Sequence, residues 1–174
     1  MRNVLPSPPK IIFRQPPNLK QLLIRARLNK PKDQPKGCFK THSRNCVTCA
    51  VLKETSTFVS YSTMEKFTIY SSITCSTKSV IYLINCLSCG KQYVGETGGE
   101  LRQRHRGHRQ ESKKGHTPLG KHFTGACTNF ELIGIQKIPA YNSHLQEQKE
   151  LSWILQLDTF HPTGINVKKL VKQT

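Results

Sequence analysis

The sequence predicts a small α/β (α+β) fold, with a mostly antiparallel sheet flanked by helices and an extended basic N-terminal arm. Three observations predict it. Runs of β-branched and aromatic residues recur after the first quarter of the chain, two later segments show helical periodicity, and the first 37 residues hold seven of the ten prolines. The roughly 135 residues after the arm suffice for one core but not for two large ones.

The arm is basic and rich in proline. Up to Lys36 it contains nine Lys and Arg against one acid, Asp33, which is typical of a solvated linker. Residues 18–28 place leucines at helical spacing after Asn18, a good N-cap, and predict a short docking helix. We expect three segments: the arm at 1–37, a cysteine-containing linker with strands at 38–79, and the main domain at 80–170.

Five strands and two helices are expected after the arm. Residues 143–157 should form a helix with Leu151, Ile154 and Leu155 on its inward face, and residues 98–112 another. The strands are predicted from their β-branched and aromatic content. They cover 56–61, 66–73, 79–86, 92–97 and 130–138.

Charge narrows the class of partner. The chain of 174 residues has a formal net charge of +17 and a pI near 9.9, so a polyanion, nucleic acid above all, is the expected partner. No apolar run approaches the roughly 20 residues of a spanning helix, and the N-terminus lacks the apolar core of a secretory signal. We therefore expect no membrane association and a reducing compartment, nuclear or cytoplasmic, in which cysteines serve as metal ligands or buried thiols.

Two tyrosines stand in neighbouring predicted strands. Tyr82 in "VIYLI" and Tyr93 in "QYVG" are eleven residues apart, so the paired strands could carry both rings on one face. Such rings often serve only as packed side chains with a hydrogen-bonded tip. Here Gly95 allows close backbone approach, and the following helix brings a cluster of cationic side chains: Arg102, Arg104, His105, Arg106, His108 and Arg109.

The basic residues continue beyond this cluster. Between residues 102 and 122 there are seven Lys and Arg against one acid, which could be a solvated face but also fits a surface that follows a phosphate backbone. Aromatic residues are sparse there, so backbone contact is favoured over base stacking. The candidate nucleic-acid-binding residues are Arg102, Arg106, Arg109, Lys113, Lys114 and Lys121.

The cysteines suggest two metal sites. Cys86 and Cys89 form a CxxC between the tyrosine strands, and "KHFTGAC" offers His122 and Cys127, with His116 as an alternative fourth ligand. Two thiolates from a tight turn and two ligands from a distant loop are typical of structural Zn²⁺, although buried apolar thiols are the simpler interpretation. A possible second zinc site comprises the four remaining cysteines: Cys38, Cys46, Cys49 and Cys75.

Together these motifs resemble a known family. "VIY", then "YVG", "LRQR" and a histidine four residues later resemble the GIY-YIG nucleases, with Val80 where the first glycine usually stands. The later segments "KELSWILQL" and "PTGIN" extend the resemblance. The internal CxxC, "YVGET" and "HPTGIN" are similar to the C-terminal nuclease domain of Penelope-like retroelement reverse transcriptases, and the upstream "IIFRQPPNLKQLLIRARL" and "CVTC" resemble the linker before that domain.

The resemblance implies catalytic roles for residues on the two strands and the first helix. Tyr82 and Tyr93 would position or deprotonate the attacking water, although a phenol pKa near about 10 requires a nearby cation. Arg104 would hold the scissile phosphate through forked hydrogen bonds. His108 matches the histidine of the family's helix. Arg102 is the alternative phosphate ligand if the turn between strand and helix is aligned differently.

Two further roles follow for the C-terminal part. Glu150 matches the carboxylate that holds a catalytic divalent ion, Mg²⁺ or Mn²⁺, which would stabilise charge on the phosphate and the leaving oxygen. Glu147 is the alternative metal ligand, because it would lie on a similar helical face. Asn166 would support the site by hydrogen bonding.

The function implied is a metal-dependent endonuclease that nicks DNA and leaves a 3′-hydroxyl for priming reverse transcription. Only 79 residues precede the motif, so we expect any reverse transcriptase to act in trans. A catalytically inactive, zinc-stabilised nucleic-acid-binding module from a decayed retroelement is the alternative, and a domain that docks on a polymerase is a third. The presence of all six expected catalytic residues favours the enzyme.

Overall fold

The computed structural model describes residues 35–41, 45–124, 127–139 and 142–167. The helix predicted at 18–28 and nearly all of the arm lie outside these residues. Within them, no helix combines the length and apolar character needed to cross a membrane.

The described residues form a mixed α/β domain with a central antiparallel sheet, which confirms the predicted fold class. Seven strands and four helices occur in the described part of the chain. In order they are β1 (Gly37–Phe39), α1 (Val47–Val51), β2 (Thr57–Val59), β3 (Lys66–Thr68), β4 (Ser72–Thr74), β5 (Lys78–Cys86), β6 (Gln92–Glu100), α2 (Leu101–Lys114), α3 (Pro118–His122), β7 (Phe130–Lys137) and α4 (Ser143–Gln156).

The central sheet has the order β6-β5-β7, with every neighbouring pair antiparallel. Every residue of β5 except Lys78 is buried, which explains why its apolar residues form an unbroken run instead of alternating with polar ones. Strand β1 pairs in parallel with β4, and β2 pairs antiparallel with β3.

The strand predicted at 66–73 is two strands, β3 and β4. The run divides because its two parts have different partners. The N–H of Ile69 donates to Ser56 O beside β2, whereas Ser71 O accepts from the N–H of Gly37 in β1. Between them Tyr70 is largely exposed.

Helix α2 starts and ends at recognisable caps. Glu100 is the N-cap and forms a capping box with Gln103, which satisfies N–H groups that the first turn leaves free. Gly115 ends the helix with φ of 64°, a left-handed conformation that glycine adopts without strain.

The inward face predicted for α4 was wrong at two of three positions. Leu151 and Leu155 are 50% and 62% exposed, and only Ile154 is buried. The half-buried Trp153 sets the rotation of the helix. Its ring packs edge-on against Phe58 and Phe67, and its Nε1 donates to Gln136 Oε1 at 2.7 Å. Leu151 and Leu155 then point away from that contact.

Candidate active site

The two motif tyrosines lie on one face of the β5–β6 pair, as the sequence predicted. Tyr82 pairs with Gly95 and Tyr93 with Ile84, so the rings are diagonal neighbours on the sheet. Gly95 makes room for both. A Cβ at this position would lie 2.5 Å from the Tyr82 hydroxyl and 2.9 Å from Tyr93 Cε1, so any side chain here would displace a ring.

Asn166 holds the backbone of β6 at Val94, the residue after Tyr93. Its Nδ2 donates to Val94 O at 2.8 Å, and its Oδ1 accepts from the N–H of Val94 at 2.9 Å. One residue earlier, the N–H of Ile165 donates to Gln92 O at 2.9 Å. The buried Asn166 amide thus acts as an extra strand residue beside β6 and fixes the backbone next to Tyr93.

Helix α2 brings Arg104 and His108 to the buried hydroxyl of Tyr82. The Tyr82 hydroxyl lies 2.5 Å from His108 Nε2 and accepts from Arg104 Nε at 3.1 Å. Arg104 and His108 are one helical turn apart, so they share a face. Glu111, one further turn along, lies 3.2 Å from His108 Nδ1 and forms an ion pair with Arg104 at 3.6 Å.

This network determines which nitrogen of His108 carries the proton. An ionised carboxylate can only accept hydrogen bonds, so His108 Nδ1 must donate to Glu111. In a neutral ring, Nε2 is then the acceptor, and the Tyr82 hydroxyl donates to it. Burial, followed by the charge of Arg104, lowers the pKa of His108 to about 4, so the ring is neutral near pH 7.

The tyrosines resist ionisation in this environment. Burial is the largest cause that raises the pKa of both Tyr82 and Tyr93. The Glu150 carboxylate raises the pKa of Tyr93 further, whereas the Arg104 guanidinium lowers it. A phenolate at either position therefore needs positive charge nearby.

A cleft of about 800 Å³ brings most of the predicted catalytic residues together. Both carboxylates considered as metal ligands, Glu147 and Glu150, lie on its wall, as does Leu151 of the exposed face of α4. Tyr82 is fully buried and contacts this wall through Arg104 and His108. Five of the six predicted residues line the cleft: Tyr93, Arg104, His108, Glu150 and Asn166.

Arg102 lies apart from the tyrosines. Its Nε contacts Glu100 Oε2 at 2.5 Å, and it does not line the cleft. Helical geometry explains the difference, because residues two positions apart point to different sides of a helix. The other predicted nucleic-acid-binding residues are exposed on or near α2 and α3: Arg106, Arg109, Lys113, Lys114 and Lys121.

The structure brings together the four residues predicted to bind zinc beside β5. The ligand atoms of Cys86, Cys89, His122 and Cys127 all lie within 4.8 Å of one another, and Cys89 Sγ is 3.4 Å from His122 Nε2. Burial raises the pKa of Cys86, but hydrogen bonds from His122 and two backbone N–H groups outweigh it and lower the pKa to about 6. His116, the alternative ligand, is outside this cluster.

The predicted second cluster forms without one of its members. Cys46, Cys49 and Cys75 have sulfur atoms within 4.8 Å of one another, but Cys38 does not belong to the group. Cys38 is fully buried, and its Sγ accepts the N–H of Gly134 at 3.3 Å. Burial raises its pKa to about 11. The prediction for Cys38 is therefore wrong, because β1 turns this side chain toward β7.

The sequence analysis missed two contacts made by helix α2. Glu111 is the first, and its position three residues after His108 on a helix was the signal that could have revealed it. The second is the contact of His105 Nδ1 with Thr48 Oγ1 at 2.9 Å. It joins α1 to α2 although the two residues are 57 positions apart in the sequence. Residue patterns within one element do not predict such a pair.

Comparison with known proteins identifies the domain. The profile of the GIY-YIG catalytic domain matches residues 78–166. The chain is also similar to the catalytic domain of homing endonuclease I-TevI, with 27% identity over 53% of this chain and 100% of that one and a TM-score of 0.47. A mutant structure of that domain gives 27% identity over 56% of this chain and 98% of that one, with a TM-score of 0.45.

No curated protein sequence matches the chain significantly. The family profile covers half of the chain, and the residues it spans include both motif tyrosines, helix α2 and Asn166. The chain therefore belongs to the GIY-YIG family of endonucleases, with the catalytic domain in residues 78–166.

Proposed function

We propose that this endonuclease nicks DNA with the help of Mg²⁺ or Mn²⁺, and that six residues perform or support the reaction: Tyr82, Tyr93, Arg104, His108, Glu150 and Asn166. The observation that carries the proposal is the single cleft where a guanidinium, a carboxylate, an imidazole and a phenol meet beside an exposed basic helix. These groups suit phosphodiester hydrolysis, in which negative charge must be held and water directed.

Arg104 is proposed to bind the scissile phosphate. A guanidinium remains charged and offers forked donors that match phosphate oxygens. One of its donors, Nε, is engaged by the Tyr82 hydroxyl, and the ion pair with Glu111 adds a second restraint. These contacts fix the direction of the guanidinium before substrate arrives, which reduces the entropy lost on binding.

Glu150 is proposed to hold the divalent ion. Its carboxylate is a hard oxygen ligand on the cleft wall, and Mg²⁺ commonly binds through one or two carboxylates together with substrate phosphate. The donor set therefore fits the ion. When bound, the ion would supply Lewis acidity at a phosphate oxygen and offset the carboxylate charge beside the tyrosines.

Tyr93 is proposed to direct the attacking water, and His108 to hold Tyr82 and Glu111 in place beside it. Tyr93 is the motif tyrosine on the cleft wall, and its phenol receives the electrostatic support of Arg104. His108 is neutral, and its Nε2 accepts the hydrogen bond of the buried Tyr82 hydroxyl. Tyr82 thus acts as a positioning residue for Arg104 and His108, and Asn166 as a positioning residue for Tyr93.

We further propose an association with a retroelement of the Penelope-like type. The support is the sequence resemblance carried by the CxxC between the motif strands, by "YVGET" and by "HPTGIN". In this proposal the nick supplies a 3′-hydroxyl to a reverse transcriptase acting in trans, in the nucleus or cytoplasm.

A plasmid assay tests the nuclease. Purified protein with Mg²⁺ or Mn²⁺ should convert supercoiled DNA to the nicked circle, and a DNA polymerase should extend the nick without prior phosphatase treatment. A His108→Ala variant purified in parallel should lose most of the activity. Equal nicking by that variant would assign the activity to a contaminant, and ends that require a phosphatase would contradict the priming role.

A second experiment tests structural zinc at the Cys86 cluster. Cys86→Ser should lose one equivalent of zinc, and its melting temperature should fall by more than about 10 °C, because structural zinc binding is coupled to folding. Ser88→Ala, an exposed change in the same turn, should keep the metal. Full zinc content in Cys86→Ser would refute the site.

A further inference from the structure

Three cysteines ahead of the catalytic domain form a cluster that the nuclease function does not use. Cys46 and Cys49 belong to the α1 turn, and Cys75 follows β4. All three precede the residues matched by the family profile. Cys49 and Cys75 are buried and Cys46 is half-buried.

The turn at Cys46 has the local geometry of a metal-binding knuckle. Cys46 is the N-cap of α1 and has an extended backbone, so the N–H groups of Thr48 and Cys49 donate to its sulfur. Burial raises the pKa of Cys46, but these donors and the neighbouring thiols outweigh it and lower the pKa. Cys86 receives the same pair of contacts, from the N–H groups of Ser88 and Cys89.

The spacing of the sulfurs suits a shared ion. Cys46 Sγ lies 3.9 Å from Cys75 Sγ. Two thiolates bound tetrahedrally to Zn²⁺ at about 2.3 Å would lie about 3.8 Å apart. The distance therefore agrees with two corners of one zinc tetrahedron.

We propose that Cys46, Cys49 and Cys75 bind one zinc ion through three thiolates, at a site separate from the Cys86 cluster. Soft thiolates favour zinc over Mg²⁺, and the thiol protons are released to solvent when the metal binds. A tetrahedral ion takes a fourth donor besides these sulfurs. Three thiolates and Zn²⁺ leave one net negative charge, and the Arg102 guanidinium is close enough to interact electrostatically with Cys75 and Cys46.

The ion would connect α1 and the segment after β4 to the start of the catalytic helix. Cys75 O accepts the N–H of Arg102 at 2.8 Å, and Thr48, between the two knuckle cysteines, contacts His105 at 2.9 Å. Both contacts are to the first turns of α2, which carries Arg104 and His108. A zinc ion here would thus hold that helix in position from outside the cleft.

Zinc stoichiometry tests the proposal. Native mass spectrometry and elemental analysis of the full chain, purified under reducing conditions, should give two zinc ions per chain. Cys49→Ser and Cys86→Ser should each retain one. Cys38→Ser is the matched control and should retain two, since this nearby buried thiol is outside both clusters. The proposal is overturned if Cys49→Ser binds as much zinc as the wild type, or if iron or copper occupies the cluster.

A measurement on the wild type avoids any folding defect of the variants. Cys46 is the most accessible of the three thiols, so iodoacetamide should modify it unless metal covers it. In zinc-loaded protein Cys46 should be protected, and removal of zinc with a chelator should expose it, as peptide mapping would show. Equal modification before and after chelation would overturn the proposal. Neither readout depends on nuclease activity.

Discussion

Glu150→Ala should lower plasmid nicking by about a thousandfold or more, because it removes the carboxylate proposed to hold the catalytic ion. DNA binding should remain as strong as in the wild type or become stronger. The substitution deletes a negative charge from the wall of a cleft beside a basic surface, on a chain whose net charge is +17. Nicking rates at saturating Mn²⁺ and a binding titration in Ca²⁺ would separate the two effects.

Glu147→Ala is the matched control, since Glu147 lies one turn earlier on α4 and lines the same cleft. Glu147→Ala should lower the nicking rate by less than about tenfold, as expected for a carboxylate that lies near the site but does not bind the metal. The reverse ranking of the two variants would move the metal ligand to Glu147 and leave the nuclease assignment intact. If neither variant affected nicking, the proposed metal site would be wrong.

Arg104→Ala should also reduce nicking by at least about a hundredfold to a thousandfold, which is typical for loss of one preorganised donor at a developing charge. The loss has a second cause in this structure. Arg104 donates to Tyr82 and pairs with Glu111, so its removal also loosens the side chains around His108. Single-turnover nicking and the melting temperature should be measured together, because a large fall in rate with little change in stability would separate catalysis from folding.

Arg102→Ala provides the comparison on the same helix. Arg102 is 38% exposed, close to the 36% of Arg104, but its partner is Glu100 and not a tyrosine. We expect its removal to weaken DNA binding modestly and to leave the rate at saturating protein nearly unchanged. Loss of catalysis in Arg102→Ala with activity in Arg104→Ala would contradict the assignment of Arg104.

The sequence predicted the parts of the site that depend on short-range periodicity. Alternation along β5 and β6 places Tyr82 and Tyr93 on one face, and the helical repeat places Arg104 and His108 on one side of α2. The knuckle at Cys86 and Cys89 is equally local. Each of these relations follows from geometry within one element or one hairpin, so residue spacing was sufficient.

What the sequence did not predict depends on contacts between distant segments. The rotation of α4 is set by Trp153 against Phe58 and Phe67, which reversed the expected burial of Leu151 and Leu155. Cys38 lies outside the cluster predicted for it, because β1 pairs with β4 and the Cys38 sulfur accepts the N–H of Gly134. Spacing along the chain gives no information about such rotations, because they are decided when separate elements pack.

The pairing of Asn166 with Val94 also protects the sheet against association with other chains. Strand β6 is at the edge of the central sheet. An open edge has unpaired N–H and C=O groups, which a strand of another molecule can bind. Ile165 and Asn166 occupy those groups at Gln92 and Val94. A protein shortened to end before residue 165 would therefore lose support for Tyr93 and at the same time expose an edge prone to aggregation, so inactivity and insolubility should appear together.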